Sequence, residues 1–151
     1  MTSTYRREIA EAAAAHGLDP RVVEAVVAVE SSGRTSAYRY EAGFWAKYLA
    51  NHPDYRHAVP ERVSASYGLM QVMYPVAREM GFPGEPEMLF VPATGLAYGC
   101  RKLAALLTWA EGDLQSALCA YNGGKVANRI EPRRNQAYCD RVLVALSQVP
   151  A

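Results

Sequence analysis

The chain has 151 residues, enough for one buried core and too few for two cores joined by a linker. Half of its residues are hydrophobic and 21% are charged, which excludes the disordered and low-complexity classes, and no apolar run reaches the roughly 18 residues of a membrane span. Sixteen Lys and Arg against fifteen Asp and Glu leave a net charge of +1, so nothing in the charge draws the protein generally to nucleic acid or anionic lipid.

Almost every periodic segment reads as helix. Thr4 to His16 is rich in Ala and Glu and is closed by Gly17. Asp19-Pro20 supplies an N-cap and a proline at the first helical position, and the helix that follows runs to about Ser31, with Gly33 beyond its end. Tyr38 to His52 is aromatic-rich and is expected to hold a short helix, before His52-Pro53-Asp54 and Val59-Pro60 break the chain into loop. Pro75 opens a helix ending at Gly81, and Phe82 to Pro86 is a turn-dense connection. Pro92 opens the longest helix, to about Ala110, with Leu96, Leu103, Ala104 and Leu107 on one face. A short helix follows Gly112-Asp113 through Ala120, Asn122-Gly123-Gly124 stops it, and Asn135 to Val149 closes the chain with Val142, Leu143 and Leu146 in register. No alternating strand is found, so the expectation for residues 1–151 is a single all-α domain of about six to eight helices, without repeats.

The three cysteines, Cys100, Cys119 and Cys139, are odd in number, far apart and in helix-like stretches, which reads as small buried hydrophobes and not as a disulfide or zinc framework. Arg133 and Arg134 make a basic spot no larger than ordinary solvated surface. Behind Met1 to Arg7, Glu8 and Glu11 interrupt any apolar stretch, so no secretory signal is expected.

One residue breaks the helical pattern. Val22, Val23, Val26 and Val27 form an apolar stripe in the second helix, and the next position of that stripe is Glu30. Burial and the negative end of the helix dipole both disfavour its ionised form, so its pKa is expected to be raised. A glutamic acid held protonated near neutral pH is what glycoside cleavage requires of a general acid. On periodicity alone, a glutamate whose stem packs while its head reaches solvent, or one paired with an arginine, is the more ordinary reading.

Glu30-Ser31-Ser32-Gly33, Ser66-Tyr67-Gly68-Leu69-Met70-Gln71, Ala120-Tyr121-Asn122-Gly123-Gly124 and Tyr138 with Val142 occur in that order over residues 20–145. Together they resemble the soluble lytic transglycosylase family, the peptidoglycan-cleaving branch of the lysozyme-like superfamily. The resemblance implies a lysozyme-like all-α fold, peptidoglycan glycan strands as partner, and no metal or cofactor. By the same resemblance Glu30 is the catalytic acid and base. Met70 and Gln71 line the groove, Tyr121 and Asn122 lie beside the glutamate, and Tyr138 orients the glycan. The residue types suit such roles, since tyrosines offer a flat face with a hydroxyl and amides bond N-acetyl groups. Between Glu30 and Gly68 the chain carries Arg39-Tyr40-Glu41 and an aromatic segment with Phe44, Trp45 and Tyr48, which resembles phage-borne members and reads as either a lid or a packed wall. The serine that precedes Gly-Leu-Met-Gln and contacts an N-acetyl group in the family has two candidates, Ser64 and Ser66, with Ser66 as the site residue here. Thr94 stands where Asn is common ahead of the long helix's glycine.

The implied reaction is cleavage of the β-1,4 bond between N-acetylmuramic acid and N-acetylglucosamine with formation of a 1,6-anhydro sugar. Two alternatives stay open. In a hydrolase of the goose-type lysozyme kind, Glu41, eleven residues after Glu30, would activate water as second carboxylate, although an ion pair with Arg39 also accounts for it. A non-catalytic glycan-binding virion or secretion module would keep the groove without turnover. A monomer is expected. With no signal peptide expected, a chain made in the cytoplasm would reach the wall through a holin, a virion or a secretion system; a domain of a larger exported protein fits the sequence equally well.

Overall fold

The computed structural model describes residues 4–151. Helix α1 (Arg6–Ala15) and helix α2 (Pro20–Ser31) open the chain. Asp19 caps α2 as the sequence predicts, its carboxylate accepting from the Arg21 amide at 2.9 Å, with Pro20 in the first turn where its missing N–H costs nothing. The helix ends at Ser32, which adopts a left-handed φ of 54°.

Next comes a feature the sequence reading does not contain, a three-stranded antiparallel sheet of β1 (Tyr38–Tyr40), β2 (Ala65–Tyr67) and β3 (Val72–Met73). Strands of two or three residues are shorter than the four to eight over which alternation becomes legible, roughly speaking, so no periodicity announces them. Between β1 and β2 run α3 (Ala42–Phe44), a π-helical turn (Trp45–Leu49) and α4 (Pro60–Val63), the last in a stretch read as loop. After β3, α5 (Tyr74–Glu79) and a 3-10 turn (Pro86–Phe90) lead to the long α6 (Pro92–Trp109), then α7 (Leu114–Gly123) and α8 (Gln136–Ser147). Asp113 caps α7 through the Gln115 amide.

One continuous hydrophobic core joins these elements. Helix α2 lies along α8, and α6 packs against both α1 and α7. Val23, Val26 and Val27 of the α2 stripe are buried as expected, as are Leu96 and Leu103 of α6 and Val142 of α8. All three cysteines are free and buried, and burial pushes the thiols of Cys100 and Cys139 up to about 12.

Candidate active site

The segments that carry the family resemblance, far apart in sequence, are tied together by hydrogen bonds. Gly68 to Gln71 forms the turn between β2 and β3. Gly68 takes φ +76° there, and a Cβ at that position would sit 2.6 Å from the Leu89 carbonyl oxygen, so only glycine fits. The Ser31 hydroxyl donates to the Leu69 carbonyl at 2.8 Å, which fixes the turn to the end of α2. The Tyr121 hydroxyl donates to the Met70 carbonyl at 2.6 Å, which fixes it to α7. The Tyr138 hydroxyl donates to Glu30 Oε2 at 2.8 Å, which closes α8 onto α2.

Inside this frame lies a cavity of about 740 Å³, within the size range of small-molecule sites. Glu30, Glu41, Ser66, Gln71, Tyr121, Asn122 and Tyr138 all line it. The sheet register explains part of the lining. Arg39 pairs with Ser66, and Ser66 with Met73, so the three form one cross-strand row, and all three face the cavity. Ser66 is thus the serine that reaches this space. Ser64 is fully buried, with its hydroxyl donating to the Glu41 carbonyl at 2.7 Å.

Met70 departs from expectation. Its side chain is fully buried against Gly99 and Cys100, where a Cβ on Gly99 would meet Met70 Sδ at 2.3 Å. The reason is geometric: the tight turn sends Leu69 and Met70 into the core and leaves Gln71 facing the cavity. What Met70 contributes is its carbonyl, the acceptor for Tyr121. Gln71 spends its amide hydrogens on the Ala37 and Gly68 carbonyls, at 3.0 and 3.1 Å, so its Oε1 is the group it offers. Asn122 is exposed and accepts from Asn135 Nδ2 at 2.8 Å.

Two carboxylates on α2 illustrate opposite fates. Glu24 is 8% exposed and ion-paired with Arg6 at 3.1 Å, as a structural carboxylate should be. Glu30 has the Tyr138 hydroxyl as its hydrogen-bond partner and no ion pair among the described residues. Burial raises its pKa, opposed by the Tyr138 hydrogen bond and, more weakly, by the charges of Lys102, Arg141 and Arg39. The other carboxyl in the cavity lining among the described residues, Glu41, is ion-paired with Arg39 at 3.1 Å. Among the described residues no three His, Cys, Asp or Glu side chains lie close enough together to hold a metal ion.

A second cavity of about 870 Å³ adjoins the first, sharing with it Phe44, Met73, Val76, Lys102, Tyr121 and Asn122. Its outer wall includes Tyr48, Leu49 and Tyr55. The aromatic segment is therefore wall material: the Phe44 and Tyr48 rings meet at a tilt of 50° with centroids 4.7 Å apart, and Trp45 packs on the core. Lys102 and Arg141 escaped the sequence reading. Lys102 had a legible signal, because it continues the α6 stripe of Gly95, Gly99 and Leu106, all buried, just as Glu30 continues that of α2.

Residues 7–143 match the family model described as Transglycosylase SLT domain. The chain belongs to this family. Its SLT domain superposes on the crystal structure of an inactive mutant of the lytic transglycosylase Slt from Pseudomonas aeruginosa with a TM-score of 0.69 and 19% identity. That likeness covers 95% of this chain and 23% of the other, so the chain spans about a quarter of the length of that protein, and at this identity it concerns the fold alone. No curated protein matches the chain. The SLT domain has the all-α, lysozyme-like architecture expected, with the small sheet as an addition. No helix among the described residues is long and apolar enough to cross a membrane.

Proposed function

We propose that this SLT domain is a peptidoglycan lytic transglycosylase that cleaves the β-1,4 bond between N-acetylmuramic acid and N-acetylglucosamine. The observation that carries the reading is the state of Glu30, a partly buried acid with a raised pKa and no ion pair among the described residues, on the wall of a cavity lined by aromatic and amide groups.

Glu30, protonated, donates its proton to the glycosidic oxygen as the bond to C1 breaks. The acetamido carbonyl oxygen of the muramyl sugar stabilises the cation at C1. Glu30, now a carboxylate, takes the proton of the muramyl 6-hydroxyl, and that oxygen closes on C1 to give the 1,6-anhydro sugar. Well-oriented intramolecular attack reaches effective molarities of about 10⁵–10⁸ M, so a second protein carboxylate is dispensable. The Arg39 ion pair on Glu41 supports that economy. Tyr138 orients the Glu30 carboxyl, while Ser66, Gln71 and Asn122 supply polar contacts to the sugars.

Mass spectrometry of digested cell walls tests the reading. Anhydro-muramyl ends are expected, and ends heavier by one water would instead establish a hydrolase, with Glu41 as the base to examine.

A further inference from the structure

We propose that Lys102 is a substrate-positioning residue whose ammonium binds an acyl oxygen of the glycan where the two cavities meet, setting the strand's register against Glu30. The inference deepens the transglycosylase reading and rests on it.

Lys102 sits where the α6 periodicity calls for an apolar side chain, and burying an ammonium without full compensation is costly. The compensation here is partial. Of its three N–H donors, one is given to the Tyr121 carbonyl at 2.9 Å, and Nζ lies 4.1 Å from the Tyr121 ring centroid, on which the charge rests. Among the described residues it makes no ion pair. Arg133 shows what a purely structural cation looks like in this fold: its side chain is 9% exposed, yet it is ion-paired to Asp113 and Glu131 and bonded to Ser116 and Gln136. Lys102 has spare donors instead, and it lines both cavities. Burial lowers it to about 8, against the opposing charge of Glu30, so it still carries its proton at neutral pH.

A glycan strand offers hydroxyls, ring oxygens and acyl oxygens, and an ammonium prefers the last because they hold the most negative charge. Two groups supply that chemistry. The N-acetyl carbonyl is present on both sugars, and the lactyl carbonyl or carboxylate on the muramyl sugar alone.

Calorimetric binding in a Glu30→Gln background, which prevents turnover, separates them. The ligands are an N-acetylglucosamine oligomer and a muramyl-containing glycan of equal length. Adding Lys102→Met, close in shape and uncharged, should weaken binding by about 10- to 100-fold, the worth of a hydrogen bond to a charged group. A loss on both ligands assigns the N-acetyl oxygen, and a loss on the muramyl ligand alone assigns the lactyl oxygen. In the parent with intact Glu30, Lys102→Met should raise KM by a similar factor and leave kcat within about threefold, with Lys102→Arg recovering part of the loss. A folded Lys102→Met or Lys102→Gln protein that binds both ligands as tightly as the form with Lys102 overturns the positioning role and leaves the transglycosylase reading intact. Failure of the intact protein both to bind and to cleave glycan overturns both.

Discussion

Replacing Glu30 with Gln removes one ionisable group from the cavity and almost nothing else. The amide has nearly the volume of the carboxyl, and its Oε1 can accept the Tyr138 hydroxyl in place of the present 2.8 Å bond, so no void is left and the Tyr138 donor keeps an acceptor. The change is one of charge. In the unfolded chain the carboxyl ionises near its ordinary value of 4.5, whereas in the folded chain burial delays ionisation to higher pH. Below the ordinary value both states are protonated and no penalty exists. As pH rises through the raised value, the folded protein must hold a charge it disfavours, and stability is lost. Each tenfold displacement of the ionisation constant is about 1.4 kcal/mol, or roughly 3–5 °C in Tm for a chain of this length. Glu30→Gln should therefore melt with the wild type at about pH 4 and above it at about pH 8. Its cleavage of cell walls should fall by at least about 10²-fold. Circular dichroism melts at the two pH values and a turbidity assay provide the measurements. Melting curves that keep the same separation at both pH values, or separate toward acid, would refute burial as the governing influence on this carboxyl. Undiminished clearing would refute its role as the acid.

Glu41→Gln should retain cleavage within about threefold and still yield anhydro ends, because the ion pair with Arg39 accounts for this carboxylate; mass spectrometry and initial rates check both points. Tyr121→Phe leaves the Met70 carbonyl without its 2.6 Å donor, a cost of about 1–3 kcal/mol readable by urea denaturation, with an accompanying loss of activity as the Gln71 turn loosens. Gly99→Ala drives a methyl group to 2.3 Å from Met70 Sδ and 2.6 Å from Met70 Cβ, so destabilisation of about 1–3 kcal/mol is expected, again by denaturant titration.

The chain's local chemistry determined the helices, because a 3.6-residue stripe, an Asp-Pro start such as Asp19-Pro20 and a terminal glycine act over a few residues. The same periodicity exposed Glu30, a charge set in a row of valines, and applied to α6 it would also have exposed Lys102. Tertiary structure alone decided the rest. Strands of two and three residues exist because β1, β2 and β3 find one another across loops, and their register is what turns Arg39, Ser66 and Met73 into one row. The direction of each side chain in the turn of residues 68–71 depends on backbone angles and on anchors 38 and 51 residues away, which is why Met70 reads as groove and lies in the core. Whether a carboxylate is paired is equally a matter of long-range packing. Glu24 meets Arg6 and Glu41 meets Arg39, whereas Glu30 meets a tyrosine 108 residues away, and that last contact leaves its charge to be governed by burial.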